Sequence, residues 1–230
     1  NSMVQQLKER MEMKQAMNLA MEVQQNLLPR KMPQIKGLEI AARSIYCDET
    51  GGDLYDFLEV DDRDADRIGV AVGDVSGHGI PAALLMATVR AFLKSRVTQP
   101  GSPAEIISDV NRLITYDTGD TGQFMTLFYA VFDTGNKELQ WVRAGHDPAI
   151  FYDPAKDEFK ELNGYGMALG VDGKFEYREN ILTDLTMGQV LLIGTDGLWE
   201  TQSQSGEMFG KDRINALIKK KSKRFTKKDP

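Results

Sequence analysis

The sequence predicts an α+β fold with largely antiparallel sheets, and three observations carry that expectation. Apolar runs of strand length predominate, the helical stretches are grouped instead of alternating with strands, and short turns rich in Gly, Asn and Asp separate the runs. The longest runs, such as Val190–Ile193, are of strand length, and none approaches the ~20 residues that span a bilayer. With 230 residues and 41% hydrophobic content the chain can bury one substantial core, so one domain with appendages is expected.

In chain order, the sequence opens on Asn1-Ser2, and a natural protein that begins further upstream is expected. Residues 3–28 contain no Gly or Pro and are rich in good helix formers, so they read as one helix ended by Pro29 and Pro33. Val4, Leu7 and Met11 begin a heptad-like stripe that Lys14 and Asn18 interrupt. Met13, Met17, Ala20, Gln24 and Leu27 make a second, equally imperfect one. The stripes suit a dimerising or signal-transmitting arm, or an amphipathic helix packed on its own domain; the extended position ahead of the domain favours the arm.

From Gly37 the pattern becomes strand-like. Leu38–Cys47 and Leu54–Val60 are expected strands on either side of Gly51-Gly52-Asp53, and the acidic Asp61–Asp66 loop leads into a central strand, Gly69–Val75. Small and β-branched residues alternate there, as in a strand buried on both faces. Gly77 and Gly79 suit a tight turn, and Pro81 the first turn of a helix over Ile80–Val97. Ser102-Pro103-Ala104-Glu105 is a capping box that opens a second helix through about Tyr116. Thr118–Gln123 connects to a hairpin, Phe124–Thr134 and Glu138–Arg143 around Gly135-Asn136, and Ala149–Tyr152 extends the sheet around the Asp153–Asp157 turn. A Gly-rich loop, Gly164–Gly170, precedes strands at Phe175–Thr183 and Gln189–Thr195. Trp141, Trp199 and the phenylalanines at strand spacing read as core. There is no internal repeat.

Charge and cysteine content narrow the function classes. The net charge is −6, but residues 211–230 carry nine Lys/Arg against two acids, which leaves −13 on residues 1–210. An acidic body argues against broad nucleic-acid binding. The basic segment from Lys219 to Lys228 could hold a polyanion, but its default reading is a solvated or disordered tail. The single cysteine, Cys47, excludes an internal disulfide framework and reads as a small core residue; two histidines are too few for a His-built zinc site. A soluble, cytoplasmic protein is expected, or the cytoplasmic domain of a longer, membrane-anchored one.

The chemistry lies in the carboxylates beside glycine. Asp53 follows Gly51-Gly52, Asp74 ends the central strand, and Asp196 sits in Gly194-Thr195-Asp196-Gly197; Asp56 is a fourth candidate. A lone Asp at a buried strand end is costly unless paired or holding a cation, and several carboxylates together ask for a hard metal. Two Mg²⁺ or Mn²⁺ ions bridged by one carboxylate would turn a shared water into a hydroxide suited to in-line attack on phosphorus. Any single Asp-Gly is commonly just a turn. Jointly the turn reading weakens, because two of the three carboxylates follow apolar strand runs.

Four motifs then carry a resemblance. GGDLYDF within Glu39–Phe57, GDVSGHGIPAALLM at Gly73–Met86, RAGHDPAIFY at Arg143–Tyr152 and GTDGLWE at Gly194–Glu200 resemble the bacterial SpoIIE-like branch of the PPM metal-dependent serine/threonine phosphatases. The match runs in order over roughly residues 20–215, and QQNLLPRKMP at Gln24–Pro33 is similar to the end of that branch's linker helix. The resemblance implies an α-β-β-α sandwich, two antiparallel sheets flanked by helices with metals at one edge, preceded by the N-terminal linker helix. The corresponding division is a linker or dimerisation helix over 1–30, a phosphatase domain over 31–218 and a basic tail over 219–230. Carried over by position, Asp74 matches the carboxylate that bridges both metals, Val75 the backbone carbonyl ligand, Asp53 the first-motif aspartate and Asp196 the Asp of the TDG motif. Gly52 is then needed for close backbone approach.

The resemblance further implies two divalent ions, Mn²⁺ or Mg²⁺, and hydrolysis of phosphoserine or phosphothreonine without a phospho-enzyme. Its usual substrates are STAS-type anti-sigma-factor antagonists. An upstream sensor domain and a homodimer through the N-terminal helix go with it, and helices Ile80–Val97 and Ser102–Tyr116 match elements that couple signals to the metals. The family normally closes on a further strand with an Asp-Asp or Asn-Asp pair. After Met208-Phe209-Gly210 the sequence turns basic instead, and Asp229, without a strand around it, is not counted as that ligand.

Weaker candidates complete the set. His78 suits proton donation to the leaving serine oxygen, or only shapes its glycine turn. His146 reads as a hydrogen-bonded turn residue. Arg43 and Arg143 suit phosphate or lie on the surface. Two rivals stand beside the phosphatase: a nucleotidyl cyclase, since GGDLYDF superficially resembles GGDEF, and a non-catalytic or weakly active dimerising module with an incomplete metal site. The cyclase leaves GDVSGHG and TDG unexplained.

Overall fold

The computed structural model describes residues 2–45, 51–60 and 66–225. Cys47, most of the Asp61–Asp66 loop, Lys227, Lys228 and Asp229 lie outside them. In chain order the elements are α1 (Ser2–Leu27), β1 (Leu54–Leu58), β2 (Arg67–Val75), α2 (Ile80–Val97) and α3 (Pro103–Thr118). There follow β3 (Met125–Asp133), β4 (Glu138–Ala144), β5 (Ala149–Asp153), β6 (Glu158–Leu162), β7 (Asn180–Leu182), β8 (Val190–Leu192), α4 (Gly197–Glu200) and α5 (Lys211–Phe225). One sheet has the order β1-β2-β3-β4-β7, the other β6-β5-β8, and the strand pairings within both are antiparallel.

Side-chain alternation builds four layers from these elements. Along β3, Leu127, Tyr129 and Val131 pack toward Leu85, Met86, Val89 and Leu93 of α2 and Ile106, Val110 and Ile114 of α3. The alternate residues Phe128 and Ala130 meet Phe151 and Leu162 of the second sheet. β5 repeats the device, since Ile150 points the other way, onto Trp199 and Ile214. The order α2/α3, five strands, three strands, α4/α5 is the α-β-β-α sandwich expected.

The helices follow their local signals. In α2 the buried residues Ala82, Leu85, Met86, Val89, Leu93 and Val97 recur at three- and four-residue spacing. At the start of α3 the capping box closes both ways: Glu105 N–H donates to Ser102 Oγ at 3.3 Å, and Ser102 N–H donates to Glu105 Oε2 at 2.8 Å.

Several expectations are corrected. Residues 39–45 form no strand, and Leu38 makes only an isolated bridge to Ile35. Their alternation is real, with Leu38, Ile40, Ala42 and Ser44 the less exposed set, but among the described residues no strand pairs with them to supply hydrogen bonds. The strand over Phe175–Thr183 shrinks to β7, because Phe175 and Tyr177 pack with the α2/α3 core instead and Tyr177 N–H donates to Ser108 Oγ at 3.3 Å. β5 and β6 found the second sheet instead of extending the first. The basic segment from Lys219 continues α5, whose Ile214 and Ile218 pack at Trp199 while Lys219 pairs with Asp157. Trp141 and Trp199 are buried as expected.

Candidate functional site

Strand register sets the site. Leu54 pairs with Gly73, so Asp53 and Asp74 occupy the next rung along at the ends of β1 and β2. A Cβ on Gly73 would lie 2.5 Å from the Thr126 carbonyl oxygen, and one on Gly52 only 2.8 Å from the Val75 carbonyl oxygen. Glycine at both positions therefore lets the backbone close around Asp53, Asp74 and Val75. Asp196 arrives from the other sheet, on the loop between β8 and α4. The two sheets meet here through Thr195, whose Oγ1 donates to Asp53 Oδ2 at 3.4 Å.

Electrostatics mark the same three residues. Burial pushes the half-buried Asp74 carboxyl up to about 6, and the charges of Asp53 and Asp196 push the same way against a hydrogen bond from Val75 N–H. Asp53 is raised too, by burial first, with the Thr195 hydroxyl opposing and the charge of Asp196 adding to the rise. The three carboxylates feel one another's charge but do not close into a tight cluster. Among the described residues no three His, Cys, Asp or Glu side chains converge as a ready-made ligand group. The charge interaction is the more telling observation, since like charges without a cation hold themselves apart. Hard oxygen donors, the raised pKa values of Asp53 and Asp74 and the nearby Val75 carbonyl fit divalent cations.

The other candidates fare differently. His78 is exposed in the turn before α2, between Gly77 at φ 84° and Gly79 at φ 79°. Asp56 is not part of the carboxylate group: it is 2% exposed and its Oδ2 lies 2.9 Å from Arg90 Nε and 3.5 Å from Lys94 Nζ of α2. Side chains alternate along a strand, so Asp56 shares the buried face of Leu54 and Leu58 and points to the helix layer, away from Asp53. Arg143 holds loops, donating through Nε to the His146 carbonyl and through Nη1 to the Gly164 carbonyl at 2.9 Å. Arg43 is exposed.

Two residues, Gln24 and Thr126, gain a place that their types did not announce, while His146 is hydrogen bonded as expected. Gln24, at the end of α1, is 3% exposed and hydrogen bonds the backbone of Gly51. Thr126 stands opposite Asp74, and its Oγ1 lies 3.4 Å from the Asp74 carbonyl oxygen and 2.8 Å from His146 Nδ1. His146 is buried. The signal for Gln24 is its position just before Leu27-Leu28-Pro29; nothing local marks Thr126.

The layered fold of this chain is that of PP2C-type domains. Its structure resembles the SiaA-PP2C domain of Pseudomonas aeruginosa with a TM-score of 0.72 at 22% identity, over 95% of this chain and 89% of that one. RsbX in complex with magnesium superposes with a TM-score of 0.54 at 17% identity, over 77% of this chain and 81% of that one. In sequence the chain is 30% identical over 195 residues to the phosphoserine phosphatase RsbU of Bacillus subtilis, covering 85% of this chain and 56% of RsbU. The chain thus spans about half the length of that curated relative. The family described as Stage II sporulation protein E (SpoIIE) matches residues 64–228, and the chain belongs to that family.

Proposed function

We propose that this domain is a metal-dependent protein phosphatase that hydrolyses phosphoserine or phosphothreonine on a small STAS-type regulatory protein. The observation that carries the reading is the group of Asp53, Asp74 and Asp196, drawn from two sheets, whose mutual charge helps to raise the pKa values of Asp53 and Asp74. Family membership and the 30% identity to a phosphoserine phosphatase support the same chemistry, and the magnesium complex of RsbX supports a divalent ion.

In this reading Asp53, Asp74, Asp196 and the Val75 carbonyl would hold two divalent ions. Bound Mg²⁺ or Mn²⁺ would supply charge against the phosphoryl oxygens and lower the pKa of a water. His78 delivers a proton to the departing serine oxygen, a role that its exposed turn beside the metal edge allows. The Thr195 hydroxyl orients Asp53.

The arm has its own place in the proposal. Val4, Leu7 and Met11 are exposed along α1, and pairing of two arms in a homodimer would bury them. An upstream sensor domain would act through this arm. No helix among the described residues is long and apolar enough to cross a membrane. A cytoplasmic setting for the phosphatase domain belongs to the proposal.

The test is hydrolysis of p-nitrophenyl phosphate and of a phosphoserine STAS protein, with Mn²⁺ and with EDTA. Turnover that needs Mn²⁺ and is lost in Asp74→Ala is expected. One observation favours a second reading: the carboxylates do not close into a ligand group among the described residues, as in a weakly active dimerising module. Absence of turnover at millimolar Mn²⁺, with dimerisation intact, would select it.

A further inference from the structure

The buried ring of His146 has no part in the chemistry proposed above, yet it lies between the two halves of the site. We propose that His146 is a positioning residue that sets the spacing of Asp74 and Asp196 by bracing strand β3 against the loop after β8. The proposal rests on the metal reading of those carboxylates.

The two carboxylates belong to different sheets, so no strand register fixes the distance between them. His146 spans that gap. On one side its Nδ1 lies 2.8 Å from Thr126 Oγ1, and Thr126 is the residue paired with Asp74 across the β2–β3 ladder. On the other side the ring feels the backbone of Gly194 and the charge of Asp196, two residues further on. That second contact is not a hydrogen bond of normal geometry, for Nε2 is buried without one among the described residues. Burial holds the imidazole below its ordinary pKa, which keeps the ring neutral. A neutral ring accepts at one nitrogen and donates at the other. The Thr126 hydroxyl has one proton to place between Nδ1 at 2.8 Å and the Asp74 carbonyl at 3.4 Å; given to the nearer Nδ1, it leaves the ring's own proton on Nε2.

The ring is also fixed from behind. Arg143 Nε donates to the His146 carbonyl, and Gly145, at φ 68°, packs so closely that a Cβ would lie 2.8 Å from Ala168 N. A residue serving only to fill space would need no hydrogen bond to Thr126, the residue opposite Asp74. The strut is the arrangement by which outer groups orient metal ligands.

Calorimetric titration of Mn²⁺ into metal-free protein tests this, with wild type, His146→Ala, His146→Gln and Thr126→Val. We expect His146→Ala to weaken Mn²⁺ binding roughly 10- to 100-fold, with an activity deficit that shrinks as Mn²⁺ is raised. Thr126→Val should shift affinity the same way by severalfold without opening the core. Gln carries an acceptor and a donor, so His146→Gln should recover much of the affinity. Wild-type affinity in both His146→Ala and Thr126→Val would overturn the strut, as would a loss of turnover at unchanged affinity. If His146→Ala does not fold, Thr126→Val decides alone. A wild type that binds no Mn²⁺, or an Asp74→Ala protein that binds it equally well, would instead overturn the metal reading itself.

Discussion

Gln24 grips the backbone of Gly51 on both of its polar groups: Nε2 donates to the Gly51 carbonyl at 2.5 Å, and Oε1 accepts from Gly51 N–H at 3.4 Å. Leu28 is buried in the α2 core and Tyr55 donates to the Pro29 carbonyl at 3.2 Å, so the last turn of α1 and the residues after it are tied down at three points beside β1. Gly51 is two residues from Asp53. Gln24→Ala would strip the Gly51 peptide of its side-chain partner, at a cost of about 1–3 kcal/mol. The expected result is a lower melting temperature together with a raised half-saturating Mn²⁺ concentration. Unchanged Mn²⁺ dependence would mean that the clamp serves stability alone.

Asp53 and Asp56, three residues apart, should fail in opposite ways. Asp56 is buried against Arg90 and Lys94, and breaking a buried ion pair leaves an uncompensated charge worth roughly 3–5 kcal/mol. The 2.9 Å contact to Arg90 Nε is close but poorly aimed, since neither atom has a hydrogen bond of good geometry. The lower end, about 3 kcal/mol, is therefore expected for Asp56→Ala. Asp53→Ala removes a charge that burial and Asp196 already disfavour, so the metal-free protein should keep its stability and lose its Mn²⁺ response. Urea denaturation with and without Mn²⁺ separates the two.

Much of the fold is legible from residues, and the failures have physical causes. The capping box at Ser102 and the helix over Ile80–Val97 depend on neighbours within four residues, and both form as expected. β3 reads as a continuous apolar run because it is covered on both faces, by helices and by the second sheet. Residues 38–45 show that alternation encodes a side-chain preference but not the presence of a partner strand. Asp56 groups with Asp53 in the sequence, but proximity along the chain says nothing of which face a carboxylate meets. Gln24 and Thr126 act through partners 27 and 20 residues away, a separation that no local pattern announces.

Asp74 makes the metal-free protein pH-sensitive with a definite sign. Its folded-state pKa, about 6, lies above the ordinary 3.8. The folded state therefore binds this proton more tightly, and stability falls as pH rises from about 4 through about 6. Asp109 opposes this, because its hydrogen bond from Arg96 lowers its pKa and its contribution is lost as pH falls. Comparison with Asp74→Asn isolates the Asp74 share. Without metal the Asn variant should be more stable than wild type at about pH 7.5, by about 1 kcal/mol once solvent screening of this half-buried group is allowed for. The gap should close near the ordinary carboxylate pKa, about 4. Mn²⁺ should reverse the order above neutral pH, since only the carboxylate gains from the cation.

Two motif glycines make the sharpest contrast. Gly52 is buried, and a Cβ there would sit 2.8 Å from the Val75 carbonyl oxygen and 3.0 Å from the Val75 nitrogen. Backbone atoms at the end of a paired strand cannot swing aside, so Gly52→Ala must push the start of β1 away from β2. That displacement separates Asp53 from the Val75 carbonyl, the two groups proposed to share the metal site. Gly197, although part of Thr195-Asp196-Gly197, has nothing within 4 Å of its Cβ position and no positive φ. Alanine fits there, and it favours the first turn of α4 over glycine. Gly52→Ala should lose roughly tenfold or more in Mn²⁺ affinity, with overpacking costing about 1–3 kcal/mol, while Gly197→Ala should bind Mn²⁺ and turn over phosphoserine like wild type. Equal tolerance at both positions would show that close approach of Gly52 to Val75 is not what shapes the site.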